Sequence, residues 1–386
     1  MSTNVHASPV KISRKVHRVA VGALFFLQGI CFASWASRIP SIQQKLALSD
    51  AQLGAVLFSI PVGLMLSLPL SGWLVAKICS KKVAMFAIFL YGIVLVSLGM
   101  AQNTPQLVAC LFVFGFAGNL NNIAINTQAV GVESLYKKSI MASFHGMWSL
   151  AGFTGAAIGT FMIGQGIIPY QHFLVIFVMI AVGAVVSLRY VLPEDANQNA
   201  DQPIFAMPDK SLLSLGLIAF CAMICEGAMF DWSGVYFKKV VMAPEAWVGL
   251  GYSAFMGTMA LGRFVADWFT GKFGLKRTLQ LSGALTAGGL MVAVLLPGIV
   301  TATLGFLMVG AGVSSVVPLI YSAAGKSKVL SPGVALAAVS TIGFLGFLIG
   351  PPLIGIVAGA SSLQVSFSLI AIMGLCVTIF STKAEL

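Results

Sequence analysis

Residues 149–164 read SLAGFTGAAIGTFMIG, and residues 340–355 read STIGFLGFLIGPPLIG. The two stretches agree at eight of sixteen positions without a gap, at an offset of 191 residues, which indicates an internal repeat. Their four shared glycines have the spacing of small residues that let helix backbones approach closely. Both stretches are apolar, and we predict that they form equivalent helices in two related halves of the chain.

The composition of the whole chain is that of a membrane protein. Of 386 residues, 58% are hydrophobic and 9% are charged, whereas about a quarter of the residues of a soluble protein are charged. Apolar runs of about 20 residues, the length needed to cross a bilayer, recur along the sequence. They lack the alternating polarity of an outer-membrane barrel. We therefore predict an all-α membrane protein with twelve transmembrane helices, at about 18–36, 51–76, 83–101, 106–130, 140–163, 170–191, 212–238, 246–269, 277–296, 301–323, 333–359 and 364–381.

A polar interval divides the predicted helices into six and six. Residues 193–210, PEDANQNADQPIFAMPDK, are rich in Pro, Asn and Asp, which is typical of a linker. We predict an N-terminal six-helix bundle at 1–192, a cytoplasmic linker at 193–211 and a C-terminal six-helix bundle at 212–386. Since six helices separate the repeated stretches, the two copies point the same way through the membrane, as in a parallel repeat.

The distribution of Lys and Arg predicts the orientation, because these residues are retained on the cytoplasmic side of a membrane. With the N-terminus inside, eighteen of the 22 basic residues, Arg263 among them, are assigned to the cytoplasm. The four assigned to the outside are Arg38, Lys45, Lys238 and Lys239. We predict that both termini are cytoplasmic, and this bias accounts for the net charge of +11 without a nucleic-acid partner.

Twelve helices, a central linker and a parallel repeat resemble the major facilitator superfamily. That family's loop between helices two and three carries an Asp, a Gly and a basic cluster. In the corresponding stretch SGWLVAKICSKK, residues 71–82, Ala76 and Cys79 replace that Asp and Gly. The second half carries the related stretch GRFVADWFTGKFGLKR at 262–277. The resemblance therefore implies a cytoplasmic charge latch formed by Arg263, Asp267, Lys276 and Arg277.

Three further motifs narrow the resemblance. WASRIP at 35–40, FHGMWSLAGFTGAAIG at 144–159 and EGAMFDWSGVYF at 226–237 are similar to the bacterial YbjJ-type branch of inner-membrane transporters. The resemblance implies alternating access to a small-molecule site between the two bundles, near the middle of the bilayer of a bacterial inner membrane. We expect a monomer without a metal or another cofactor.

Two carboxylates stand out in helix seven. Glu226 lies 14 residues into the predicted helix, about 21 Å of an apolar core about 30 Å thick. An ionisable group at this depth costs at least about 2.5 kcal/mol without a polar cavity or a partner, and it is a functional candidate by default. We predict that Glu226 couples protons and contacts the substrate, and that Asp231 is a second candidate for proton coupling. The alternative for Glu226 is a structural carboxyl group hydrogen-bonded between helices.

A second role is predicted for Asp231 at an outer gate. Arg38 in helix one is expected at the same depth, and in the superfamily helices one and seven meet at the outer mouth. We therefore predict that Arg38 and Asp231 form an ion pair that closes this mouth. The alternative for Asp231 is a solvated carboxylate at a helix end.

Helices one, four and five supply further candidates. Asn119, Asn122 and Asn126 recur on one face of helix four, and their amides suit a polar, uncharged or zwitterionic solute. Gln28, Trp148 and Ser149 complete the predicted substrate-binding set. We predict gating contacts for His145 and Glu133, with Glu133 paired to loop cations. The alternatives are interhelical packing for the amides and aromatic packing for Trp148.

No enzymatic motif accompanies these residues. The patterns HExxH and GxSxG do not occur in the sequence, and we do not expect an enzyme. We predict a proton-coupled secondary transporter. The alternative is a nontransporting sensor or receptor with a transporter fold. Symport and antiport both remain open, because GPPLIG at 350–355 resembles an antiporter signature but lies in helix eleven instead of helix five.

Overall fold

The computed structural model describes residues 13–136, 140–195, 210–324 and 332–383, and within these ranges it contains helices and no strand. The α-helices are α1 Arg14–Lys45, α2 Asp50–Leu57, α3 Ser59–Ile78, α4 Ser80–Met100, α5 Thr104–Glu133, α6 Met141–Gly164, α7 Pro169–Ser187, α8 Lys210–Lys239, α9 Leu250–Phe273, α10 Leu275–Leu295, α11 Ile299–Val313, α12 Val316–Ala324, α13 Pro332–Ala360 and α14 Leu363–Lys383. A short 3₁₀ helix, Glu245–Trp247, precedes α9.

These helices confirm the prediction of an all-α membrane fold. In the described part of the chain, eleven helical segments are long and apolar enough to cross a membrane, with α2 and α3 joined as one segment and α11 and α12 as another. A twelfth segment, α9, has 24 residues and is also long enough, although it carries Arg263 and Lys272. The predicted order of twelve spans is therefore present.

A proline follows each of the two breaks in the predicted spans. Proline has no backbone N–H, so it cannot donate to the carbonyl four residues earlier. Pro61 lies four residues after Leu57, where α2 ends. Pro318 lies four residues after Ser314, in the break between α11 and α12. Both spans continue beyond the break as a second helix.

The first helix is longer than predicted. Its apolar run ends near residue 36, but α1 continues to Lys45 through a polar segment. This extension is held by hydrogen bonds that hydropathy does not report. The amide of Gln43 donates to the carboxylate of Asp50 over 2.8 Å, and the ammonium group of Lys45 donates to the carbonyl of Gly99 over 3.1 Å.

The two copies of the glycine repeat make equivalent contacts, as expected. In the first copy a Cβ at Gly155 would lie 2.7 Å from the Cβ of Ala33, so α6 packs closely on α1. In the second copy a Cβ at Gly346 would lie 2.5 Å from the carbonyl oxygen of Phe220, so α13 packs closely on α8. Helices α6 and α13 thus occupy matching places in two six-helix bundles, α1–α7 and α8–α14.

We call the end of the molecule at which α1 begins the basic end, and the end at which α1 stops the opposite end. At the opposite end the bundles meet through α1 and α8 and through α2 and α13. Lys239 of α8 pairs with Asp50 of α2 at 2.5 Å. A Cβ at Gly54 of α2 would lie 2.7 Å from the carbonyl oxygen of Pro351 in α13. Backbone therefore contacts backbone between the bundles at this end.

At the basic end, the start of the predicted linker is attached to the N-terminal bundle. The carboxylate of Asp195 accepts hydrogen bonds from the backbone N–H of Ser80, at 2.8 Å, and from its hydroxyl group. The side chain of Gln128 exchanges two hydrogen bonds with the backbone of Leu192, at 2.9 and 3.0 Å. Asp195 thereby accepts a backbone N–H of the first turn of α4, which has no partner within the helix. The rest of the linker, residues 196–209, lies outside the described residues.

Cys79, which replaces the expected glycine, has a backbone conformation that favours glycine. Its φ and ψ angles are 76° and 141°. Gly274, at the corresponding turn between α9 and α10, has angles of 81° and 156°. The two halves therefore share this turn, and a cysteine occupies its strained position in the first half.

Candidate functional site

A charged pair lies in the middle of the C-terminal bundle. Glu226 is 13 residues before the end of α8, and Arg263 is 13 residues past the start of α9, which places each about 20 Å from the opposite end. The guanidinium Nη2 of Arg263 donates to Oε1 of Glu226 over 3.3 Å, and the side chains are 17% and 9% exposed. A hydrogen-bonded counter-ion is what a buried charge requires.

Arg263 also crosses to the N-terminal bundle. Its Nη1 donates to the hydroxyl oxygen of Ser149 on α6 over 2.5 Å. The hydroxyl group of Ser149 donates to the carbonyl of His145 over 3.1 Å, so its oxygen is oriented as an acceptor for Arg263. The guanidinium carbon lies 5.9 Å from the centre of the Trp148 ring, within the range of a cation–π contact.

This position corrects the prediction for Arg263. The family motif predicts a cytoplasmic latch at Arg263, whereas the structure places the residue ten residues before the end of α9, about 15 Å inside the helix. Lys276 and Arg277 are exposed in the first turn of α10. Asp267 belongs to α9, but its side chain lies outside the described part of the chain.

Aromatic rings from both bundles adjoin the charged pair. Phe32 of α1 and Trp148 of α6 face Phe230 of α8, with ring centres 5.4 and 6.1 Å from that of Phe230. Phe255 of α9 and Phe347 of α13 pack on the same ring at 5.7 and 6.4 Å. Four of these rings were missed from sequence, because Phe is abundant in every span and nothing in its spacing marks the interface.

The predicted amide residues are bonded to the protein itself. Gln28 donates to the carbonyl of Gly118 at 3.2 Å and accepts from Asn121 at 3.1 Å. Asn119 donates to the hydroxyl group of Ser67 on α3 at 2.7 Å. These contacts fit the packing alternative for Gln28 and Asn119.

Asn122 and Asn126 differ from the other amides because both are partly exposed. The amide nitrogen of Asn126 donates to the side-chain oxygen of Asn122 over 3.0 Å. The same nitrogen also donates to the backbone carbonyl of Asn122 over 2.8 Å. Both amides therefore bond within α5 and keep further capacity for a ligand. Their role in substrate binding stays a prediction.

The predicted ion pair between Arg38 and Asp231 is wrong for this conformation. Nε of Arg38 donates to Nδ1 of His172 on α7 over 3.0 Å, inside the N-terminal bundle. The face of α1 that meets α8 includes Pro40, which a Cβ at Gly234 would contact at 2.9 Å. Because consecutive residues of a helix are about 100° apart, Arg38 projects about 200° away from Pro40. Arg38 was expected at the depth of Asp231, but it lies on the face of α1 that points away from α8.

Asp231 lies on α8 of the C-terminal bundle. It is partly exposed and forms no ion pair with the described residues. At the opposite end, the pairs are Lys239 with Asp50 and Lys238 with Glu245, at 2.5 and 2.9 Å. The first of these joins the two bundles.

Glu133 and His145 lie near the start of α6. Oε2 of Glu133 accepts the backbone N–H groups of Ile140 and Met141 at 2.7 and 2.8 Å. A carboxylate at this position satisfies two donors of the first turn and interacts favourably with the helix dipole. His145 lies one turn into α6, with its ring edge-on to Phe25 at 5.4 Å. Glu133 therefore stabilises the helix start, a role not anticipated from sequence.

The similarity of this chain to a known family identifies the class of protein to which it belongs. The model of the Major Facilitator Superfamily matches residues 21–329, about four fifths of the chain. The chain belongs to the Major Facilitator Superfamily. Membership confirms the resemblance seen in the sequence and identifies a multi-pass membrane transporter, while the assignment to the YbjJ-type branch stays a prediction.

Members of the superfamily with similar sequences include proteins from two bacteria. An uncharacterized MFS-type transporter of Yersinia pestis is 34% identical, over 98% of each chain. An uncharacterized transporter of Sinorhizobium fredii is 30% identical, over 94% of this chain and 96% of its own.

Solved structures share the fold. The nucleoside transporter NupG has a TM-score of 0.75 at 16% identity, over 95% of this chain and 98% of its own. A bacterial homologue of the human lysosomal transporter Spinster, in an inward-facing unoccupied conformation, has a TM-score of 0.74 at 13% identity, over 96% of each chain. At these identities the likeness concerns the fold alone.

Proposed function

We propose that this chain is a secondary active transporter that moves a small polar solute across a bacterial inner membrane by alternating access, coupled to protons at Glu226. The observation that carries the proposal is the ion pair of Glu226 and Arg263, because Arg263 also bonds Ser149 of the other bundle. Burial of an ion pair costs free energy, and charged residues inside membrane spans are therefore functional candidates.

The contacts between the bundles suggest how access alternates. The Arg263–Ser149 bond crosses the boundary between bundles, as do the Lys239–Asp50 pair and the backbone contact at Gly54. Rocking of one bundle against the other must break contacts of this kind. The charged pair and the aromatic rings lie between the Lys239–Asp50 and Gly54 contacts and the basic end, where a solute could reach both bundles.

Protonation of Glu226 would couple the rocking of the bundles to proton uptake. A charged carboxylate holds the guanidinium of Arg263 by a charge-assisted hydrogen bond, and a neutral carboxyl group holds it far more weakly. Arg263 would then be free to change partners at the bundle boundary. A proton taken up at Glu226 thus weakens one contact that positions Arg263.

Orientation and assembly follow from the sequence pattern. The basic end corresponds to the cytoplasm, since Lys and Arg residues are concentrated there. Both termini are then cytoplasmic. We propose a monomer as the working unit, because each chain supplies both bundles.

Transport can be tested with purified protein in liposomes. A thermal-shift screen first identifies solutes that raise the melting temperature. We expect a stabilising solute to accumulate in liposomes that contain the protein when an inward proton gradient is imposed, and to leak when the gradient is dissipated. Binding without uptake or exchange would contradict the proposal and favour a nontransporting sensor.

A further inference from the structure

Resting on the proposed function, we infer that Arg263 is the binding site for an anionic group of the solute. The group is a carboxylate that replaces Glu226 as the counter-ion of Arg263 when Glu226 is protonated. This assigns to Arg263 a role in binding, and to the solute a single negative charge next to an apolar or ring-shaped body.

The guanidinium of Arg263 has unused capacity. It presents five N–H donors, and a carboxylate can accept two of them side by side. Glu226 accepts one donor, through one oxygen at a long distance of 3.3 Å, and Ser149 accepts another. The Nε–H of Arg263 is buried and has no partner among the described residues. A ligand carboxylate could therefore make a better pair than Glu226 makes.

The charge of Glu226 determines when an anionic ligand can bind to Arg263. Glu226 is the carboxylate that pairs with Arg263 in the described part of the chain. Once Glu226 is protonated, the buried guanidinium has no carboxylate counter-ion among the described residues, which is strongly unfavourable. An anionic ligand restores neutrality, whereas a neutral ligand does not. Proton uptake and anion binding therefore support each other, and the coupling is reciprocal.

The surroundings define the rest of the solute. The ring of Trp148 offers flat apolar surface next to the guanidinium, and the rings of Phe32 and Phe230 adjoin Trp148. One guanidinium balances one negative charge, so a second anionic group of the solute would be uncompensated. The site thus favours a monocarboxylate over a dicarboxylate.

Other titratable groups face the pair. His145 on α6 interacts electrostatically with Arg263, and Tyr321 on α12 interacts electrostatically with Glu226. Asp231 lies on α8 itself. None of these groups replaces Glu226 in its contact with Arg263, so the exchange of partners depends on Glu226.

Benzoate and benzamide, which have the same ring and differ in charge, test the inference on the full chain in detergent. The wild-type protein, Glu226→Gln and the double variant Glu226→Gln with Arg263→Gln are compared at pH 5.5 and 7.5. Glu226→Gln mimics the protonated state, and the double variant leaves no unpaired charge that would compromise folding. The readouts are melting temperature and the Kd for benzoate.

We expect benzoate to stabilise Glu226→Gln at both pH values and to leave the double variant unaffected. For the wild type, the Kd for benzoate should tighten as the pH falls, by up to about tenfold per unit if one proton is linked to binding. Benzamide should stabilise none of the three proteins.

Equal stabilisation by benzamide and benzoate, equal binding to the double variant, or no binding to Glu226→Gln up to the solubility limit would overturn the inference. Proton-driven uptake of a neutral solute would refute the anion site while leaving transport intact. Benzoate binding as expected, with no solute moved in liposomes, would refute transport and leave the anion site intact.

Discussion

Arg263 of α9 donates a hydrogen bond to Glu226 of α8, 3.3 Å away in the same bundle, while its second donor reaches the other bundle at Ser149. One side chain thus connects a titratable carboxylate to the boundary between the bundles. The strength of its bond to Glu226 depends on charge, because a protonated carboxyl group gives up the ionic part of the attraction.

The contact between Gly54 and α13 at the opposite end predicts a shift in conformation. A Cβ at Gly54 would lie 2.7 Å from the carbonyl oxygen of Pro351, so Gly54→Val should oppose closure of the opposite end by about 1–3 kcal/mol. The measurement uses a single cysteine placed between the bundles at the opposite end of an otherwise cysteine-free protein. We expect this cysteine to be labelled roughly tenfold faster in Gly54→Val than in the parent protein.

Gly72→Val is the matched control, because a Cβ at Gly72 meets nothing within 4 Å. Its labelling rate should equal that of the parent protein. Equal rates for Gly54→Val and Gly72→Val would show that the α2–α13 contact does not control opening.

The bond between Arg38 and His172 predicts energetic coupling inside the N-terminal bundle. We expect Arg38→Ala and His172→Ala to be non-additive in the free energy of unfolding, with an interaction of about 0.5–3 kcal/mol, because each removes the partner of the other. Arg38→Ala and Asp231→Ala should instead be additive within about 0.5 kcal/mol. Stronger coupling of Arg38 to Asp231 than to His172 would contradict the observed pairing.

Cys79 offers a stabilising substitution. Its φ of 76° and ψ of 141° are costly for a residue with a side chain. Cys79→Gly should therefore raise the free energy of unfolding by about 1 kcal/mol. Gly274→Ala, in the corresponding turn of the other half, should lower it by a similar amount. A destabilised Cys79→Gly protein would mean that contacts of the cysteine side chain outweigh the backbone strain.

The twelve spans and the parallel repeat could be predicted from sequence, because apolar length and glycine spacing are local signals. The position of Glu226 along its helix could be predicted in the same way, since rise per residue converts sequence position into distance. The partner of Arg38 could not, because depth does not report which face of the helix a residue occupies. Packing of α1 on α7 and α8 decides that.

Arg263 was misplaced for a different reason. Its stretch resembles a cytoplasmic family motif, and this resemblance outweighed its position inside the predicted span 246–269. The bonds of Gln28 and Asn119 were also beyond the sequence, because the partners lie on helices distant along the chain. Such pairings depend on tertiary packing, which leaves no pattern in a single sequence.

Glu226→Gln tests the central claim, that Glu226 couples protons to transport. The measurement uses liposomes and a solute that stabilises the purified protein, and it compares accumulation under an imposed proton gradient with exchange of labelled for unlabelled solute at equal pH. The amide preserves the size of the side chain and one acceptor for Arg263, so folding and exchange should persist, whereas gradient-driven accumulation should be lost. The control is Glu245→Gln, which replaces an exposed carboxylate paired with Lys238. This variant should accumulate solute like the wild type. Undiminished accumulation by Glu226→Gln would contradict the assignment of Glu226 as the coupling residue.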